Sequence, residues 1–168
     1  MILINPTTSA AFTGHRFIPY DKVSSLWEVL RITVSEHYNR GIRTFYNGCA
    51  IGFDLLAAEA VLSLKDKYPD IVLIAAVPYR GQCEEFTSYS KARYHNILAK
   101  ADKVVILNEN YADGCFLRRN DYMLSCSANL IAYFDGIPKG GTYYTFKRAW
   151  KRGMPLSLIH ISEPTRPY

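Results

Sequence analysis

The run Ile71–Val77 is apolar without interruption and stops at Pro78. A strand with one wet face alternates apolar and polar residues, and a buried helix needs about ten residues or more. A short, β-branched run closed by a proline therefore reads as a strand covered on both faces. Such a strand needs helices above and below it, and the flanking sequence supplies them. Ala10–Phe12 reads as a strand running into Thr13-Gly14-His15-Arg16. Asp21 is placed to N-cap a helix that carries Val23, Leu26, Trp27, Leu30 and Val34 at helical spacing. Arg43–Tyr46 reads as a second strand, Leu55–Lys67 as a helix, Glu84–Lys100 as another, and Lys103–Leu107 as a fourth buried strand. A short helix over Arg118–Cys126, a fifth strand over Leu130–Phe134 and a helix from Gly140 to about Arg152 complete the series. This alternation predicts an α/β three-layer sandwich with a mostly parallel sheet.

Length and composition narrow the class. The chain has 168 residues, 49% hydrophobic and 21% charged, which fits one globular domain. No apolar run approaches the ~18 residues of a membrane helix. Met1–Ala11 lacks the cationic start and long apolar core of a signal peptide. Cys49, Cys83, Cys115 and Cys126 lie far apart with no Cys-x-x-Cys pair, which argues against a zinc site or a disulfide framework. The expectation is a cytoplasmic protein without metal or cofactor. The net charge of +5 suits an anionic ligand. The densest basic stretch, Lys147, Arg148, Lys151 and Arg152, has the spacing of one solvated helix face, so nucleic acid is not demanded.

In an open parallel sheet, ligands bind beyond the carboxyl ends of the strands. Three glycine-bearing segments fall there: Thr13-Gly14-His15-Arg16, Gly48-Cys49-Ala50-Ile51-Gly52-Phe53-Asp54, and Gly140-Gly141-Thr142. Glycine admits close backbone approach to a phosphate, and a helix start offers free N–H groups. With Arg16 and Arg119 as charged forks, the set suits a ligand with more than one anionic group. Tyr79 and Phe53 stand near strand ends, where a ring can stack on a base or simply pack. Each element alone has a plain structural reading: turn glycines, a capping Asp54, surface arginines, a packed His15.

The ordered set resembles the SLOG superfamily, with the YpsA-like branch nearest. The residues that carry the resemblance are Thr13-Gly14-His15-Arg16; Gly48-x-Ala50-x-Gly52-x-Asp54 with Ala57-Ala58-Glu59; Pro78 with Gln82; Arg119-Asn120-x-x-Met123; Ile131-Ala132 with Asp135-Gly136; and Gly140-Gly141-Thr142. It spans about residues 8–155. The resemblance implies a Rossmann-like nucleotide-binding fold, often oligomeric. Its relatives include phosphoribohydrolases, sensors of cyclic ADP-ribose or other NAD-derived signals, and a DNA-binding protein of natural transformation. The hydrolase branch carries Pro-Gly-Gly-x-Gly-Thr-x-x-Glu, and here Thr145 stands in place of that Glu. Ser125 and Ala128 also stand where acidic residues are expected.

The resulting expectation is a non-catalytic binder of an ADP-ribose-type or cyclic nucleotide, acting as a sensor or a sequestering protein. The expected site is Thr13, Gly14, His15, Arg16, Gly48, Ala50, Gly52, Asp54, Pro78, Tyr79, Arg119, Asn120, Gly140, Gly141 and Thr142, in a homodimer or larger assembly. The first rival is a nucleotide hydrolase using Asp54 or Glu59, with Glu84 and Glu85 as further carboxylates. The second is a single-strand nucleic-acid binder. Residues 1–155 are read as the domain. Leu156–Arg166 resembles a translated sequencing adapter, which would put the natural C-terminus near Pro155; its alternating apolar residues can still fill a last-strand position.

Overall fold

The computed structural model describes residues 3–160. Six strands form one sheet: β1 (Ser9–Gly14), β2 (Thr44–Asn47), β3 (Val72–Val77), β4 (Lys103–Ile106), β5 (Asn129–Phe134) and β6 (Leu156–His160). Their order across the sheet is β4-β3-β2-β1-β5-β6, and every pairing is parallel. Five helices alternate with them: α1 (Val23–Asn39), α2 (Phe53–Ser63), α3 (Ser88–Lys100), α4 (Cys115–Ser125) and α5 (Gly140–Lys151). This is an α/β Rossmann-like sandwich.

The two faces of the sheet follow from strand alternation. Phe12, Phe45, Leu73, Ala75 and Ile131 pack with Leu30, Val34, Ala57, Val61 and Ile97 of α1, α2 and α3. Their chain neighbours Ala11, Tyr46, Ile74, Ala76 and Ala132 point the other way, onto Met123, Leu124 and Ala149 of α4 and α5. Residues i and i+1 of one strand face opposite layers, which is why Ile71–Val77 has no polar position to spare.

Three local expectations are corrected. Lys103–Leu107 is not a strand buried on both faces: β4 lies at the sheet edge, and Val104 is 36% exposed. An apolar pair suffices on an edge because only the inner side meets β3. Asp21 does not cap α1; it sits in a 3-10 turn over Tyr20–Lys22, and no side chain caps the helix that follows. The helix expected from Glu84 begins at Ser88, where the Thr87 side chain accepts the Ser90 N–H, and a succession of turns precedes it.

The segment read as a last-strand filler forms β6, in parallel register with β5 from Leu130↔Leu156 to Phe134↔His160. His37, buried in α1, ties this edge inward. Its Nδ1 lies 2.7 Å from the Thr33 carbonyl and its Nε2 lies 3.2 Å from Ser157 Oγ. Residues 161–168 lie outside the described residues.

Strand order reverses between β1 and β5, so the connections after these strands leave in opposite directions and open a crevice. One side of that crevice is fixed by Gly52, at φ +83°, where a Cβ would lie 2.2 Å from the Arg16 carbonyl oxygen. The Phe53 N–H then donates to the His15 carbonyl at 3.1 Å, clasping the β1 loop to the start of α2. Gly52→Ala is expected to cost roughly 2–4 kcal/mol, from the left-handed conformation plus the overlap. Gly141→Ala, with nothing nearer than 4.0 Å to its Cβ, is expected to cost nothing. Urea unfolding midpoints check the pair; an unchanged Gly52→Ala midpoint would refute the clasp.

Candidate functional site

A cavity of about 330 Å³ lies at this switch point. The β1 loop contributes Thr13, Gly14, His15 and Arg16; the α2 entry gives Ala50 and Asp54; α4 gives Arg119 and Asn120; the α5 entry gives Gly140, Gly141 and Thr142. Sequence segments more than a hundred positions apart thus meet around one cavity. The structure adds lining residues that sequence reasoning missed: Phe116, Leu117 and Lys139. Lys139 stands next to the glycine pair, which was its available signal. Phe116 had none, because a lone aromatic ahead of a short amphipathic helix reads as core.

The framework behind the cavity is a chain of hydrogen bonds. Arg119 is 3% exposed, and its Nη1 donates to the Gly48 carbonyl at 2.6 Å. Its Nε donates to Asn120 Oδ1 at 2.8 Å, and Asn120 Nδ2 donates to Thr145 Oγ1 at 2.9 Å. Thr145 Oγ1 in turn donates to the Gly141 carbonyl at 3.0 Å. Gly48 also accepts from Gln82 Nε2 at 2.9 Å. The expectation that Arg119 offers a free fork is therefore corrected: two of its nitrogens serve this framework. Gly48 likewise does not line the cavity. A Cβ there would lie 2.6 Å from the Arg119 guanidinium, so its glycine makes room for Arg119.

Further expected positions fall outside the lining. Gly52 sits behind the cavity in the clasp. Pro78 is buried and its carbonyl accepts from Asn108 Nδ2 at 3.1 Å. Tyr79 packs edge-on against Tyr111 and Phe116, and Phe53 is fully buried and stacked on Tyr133, so neither ring is presented to a base in the cavity. Phe116 and Phe12 are the phenylalanines in the lining, and the Arg16 guanidinium lies 4.9 Å from the Phe116 ring centroid. Glu59 is paired with Arg93 at the α2–α3 contact, and Glu84 and Glu85 lie on the exposed loop before α3. Thr145 is 1% exposed inside the framework, so the hydrolase-motif position holds a structural hydroxyl. Ser125 is exposed at the far end of α4, so it and Ala128 leave the cavity's charge untouched.

Asp54 is the carboxylate of the cavity. It is buried, its Oδ2 accepts the Ala50 N–H at 3.3 Å, and its Oδ1 has no protein partner. Burial pushes its pKa up to about 6, against the pull of the Arg119 guanidinium, the Ala50 N–H and Arg16. The two buried partners disagree in sign as burial dictates: desolvation also lowers Arg119, while Asp54 raises it. The same cavity also carries the basic side chains Arg16 and Lys139. No ion pair engages Arg16 among the described residues. No side chain caps α5, so its first N–H groups and dipole face outward beside Lys139. His15 Nε2 lies 3.0 Å from the Asp135 backbone nitrogen and 3.3 Å from Asp135 Oδ1, which ties the β1 loop to the end of β5. The backbone is strained beside Asp54: Cys49 holds φ 57°, with its N–H bonded to Asn47 Oδ1 at 2.8 Å.

The fold and the site define a Rossmann-like α/β protein with a part-acidic, part-basic cavity at the sheet's switch point. The chain belongs to the YspA SLOG family (YpsA), whose model matches residues 19–163. It is 31% identical over 141 residues to the UPF0398 protein BH1768 of Halalkalibacterium halodurans, covering 83% of this chain and 72% of that one. It is 29% identical over 132 residues to YoqJ, an uncharacterized SPbeta prophage-derived protein of Bacillus subtilis, covering 71% and 74%. Its fold is similar to DNA processing protein A from Helicobacter pylori, described for its single-stranded DNA binding mode, at TM-score 0.63 and 20% identity over 96% of this chain and 67% of the other. No helix among the described residues is long and apolar enough to cross a membrane.

The raised Asp54 pKa has a consequence for stability. Its folded value of about 6 exceeds the ordinary 3.8, so the folded state holds the proton more tightly than the unfolded chain. This contribution is favourable below pH 3.8 and is lost as pH rises through about 6. Asp54→Asn is therefore expected to raise stability at pH 7.5 by up to about 3 kcal/mol and to remove the decline between these values. Chemical unfolding from pH 4 to 7.5 measures it; an Asn variant less stable than the parent at pH 7.5 would refute the assignment.

Proposed function

We propose that this protein binds a phosphorylated nucleotide of the ADP-ribose or cyclic-nucleotide type in the switch-point cavity, without turning it over. The observation that carries the reading is the presence of unlike groups in one cavity. Arg16, Lys139 and the uncapped α5 start suit phosphate oxygens. The unpartnered Asp54 Oδ1 needs a hydrogen-bond donor, and a ribose hydroxyl is a neutral one. A bare inorganic anion leaves Asp54 unserved, and an uncharged sugar leaves the basic wall unserved. The non-catalytic half of the reading rests on Thr145, a buried framework hydroxyl at the motif Glu position. Sequestration of a nucleotide signal is a fitting role, given the prophage-derived relative. Assembly into a dimer or larger oligomer belongs to the same proposal, with exposed apolar Val29 and Ile32 on the α1 layer and Trp150 on the α5 layer as two separate contact surfaces for it.

Asp54 also favours a second reading, a nucleotide hydrolase. A carboxyl near pH 6 inside a cavity is tuned for proton transfer at physiological pH. Product analysis after incubation with nucleoside monophosphates and NAD-derived nucleotides separates the two, since a released base supports the enzyme. Binding of single-stranded DNA that falls steeply with salt would instead favour the single-stranded DNA binding described for the Helicobacter protein.

Calorimetric titration with ADP-ribose and cyclic ligands tests the site. Arg16→Ala is expected to cost roughly 1.5–3 kcal/mol of affinity, the range for a charged hydrogen bond. Gly141→Val is expected to do comparable damage by filling the cavity mouth, where its Cβ meets open space and the fold is spared. Lys100→Ala, on the exposed end of α3, is expected to change affinity less than twofold. Loss with Lys100→Ala and none with Arg16→Ala would place the ligand elsewhere.

A further inference from the structure

A second and larger cavity, of about 670 Å³, shares Leu117, Gly140 and Gly141 with the switch-point cavity. The first turn of α5 is thus a common wall rather than a boundary. Beyond it the lining changes character: Tyr143 and Tyr144 supply ring surface, and Lys147, Arg148 and Lys151 supply positive charge. Arg148 is already paired with Asp121 at 3.0 Å. Lys147 and Lys151 have no carboxylate partner among the described residues. Lys147 instead lies 5.8 Å from the Tyr143 ring centroid, and Arg148 lies 5.4 Å from that of Tyr144.

We infer that this α5 cavity is the second half of a two-part binding site, and that the ligand is a dinucleotide-like diphosphate rather than a mononucleotide. The inference rests on the nucleotide reading of the first cavity and extends it along α5. One phosphorylated ribose occupies the switch point, against Arg16 and Asp54. The diphosphate crosses the α5 start at Gly140 and Gly141, where no side chain blocks it. The second ring lies on the tyrosine faces, and Lys147 and Lys151 meet the outer phosphate, which carries the second of the ligand's two charges. The sequence feature first read as a merely solvated basic face becomes a selectivity element for ligand length. Charge complementarity chooses this occupant: an apolar partner would leave Lys147 and Lys151 desolvated and unpaired, whereas an anionic ligand with a flat ring uses both lysines and rings.

The test compares ADP-ribose with AMP on the full chain by calorimetry. Each carries about two negative charges near neutral pH, so long-range repulsion from a charge change affects them alike. The parent protein is expected to bind ADP-ribose at least tenfold more tightly than AMP. K147E/K151E, both at exposed positions, is expected to weaken ADP-ribose at least tenfold while AMP changes less than twofold. Tyr143→Ser is expected to reproduce the same selective loss without altering charge. Melting temperatures for each variant report folding. Equal losses for both ligands, no loss for either, or a parent that prefers AMP would overturn the inference while the first cavity's reading stands. Binding of neither ligand by the parent would overturn this inference, and a parent that also fails to bind cyclic nucleotides would overturn the first cavity's reading with it.

Discussion

Arg119 holds the site together. Its guanidinium reaches from α4 under the β2–α2 loop, and through Asn120 and Thr145 the same hydrogen bonds arrive at the start of α5. Three connections that leave the sheet at different strands are thereby fixed relative to one another. The cost of burying a guanidinium is met by Asp54, by two carbonyls and by the tight turn at Gly48, which a methyl group would push away. Remove that fit and the cavity loses both its walls and its charge pattern.

Asp54 completes this arrangement at some expense to folding. A buried carboxylate with one unpaired oxygen is a group that packing alone would replace. It stands close to the left-handed Cys49, so two unfavourable features, a buried carboxylate and a strained backbone, fall beside one cavity. Thr145 shows the opposite tendency. At the position of the hydrolase motif's Glu, this chain buries a hydroxyl that bonds Asn120 and the Gly141 carbonyl.

Glycine played a different part from the one a motif suggests. Gly48 and Gly52 stand in phosphate-loop spacing, yet both are occupied by protein: a guanidinium against one, a carbonyl against the other. Of the glycine segments, Gly140-Gly141 lies open to solvent and borders both cavities. The loops therefore divide their work: the Gly48–Gly52 loop serves the frame, and the Gly140-Gly141 entry stays open at the cavities.

The sequence by itself determined the layers. Apolar continuity at Ile71–Val77 and helical spacing from Val23 to Val34 sufficed for a parallel α/β sheet, because periodicity is a local property of the chain. The motifs at Thr13–Arg16 and Gly140–Thr142 were legible for the same reason: loops after parallel strands gather at one end. Tertiary structure alone decided which side chains face the cavity. Arg119 and Arg16 look alike in sequence, but one is locked inside by Gly48 and the other stands free. Tyr79 and Phe116 likewise exchanged the places expected of an aromatic at a strand end. β4 lost its buried status because only strand order says which strand has no outer neighbour. Burial and partnership depend on contacts between residues tens of positions apart, and no local pattern encodes them.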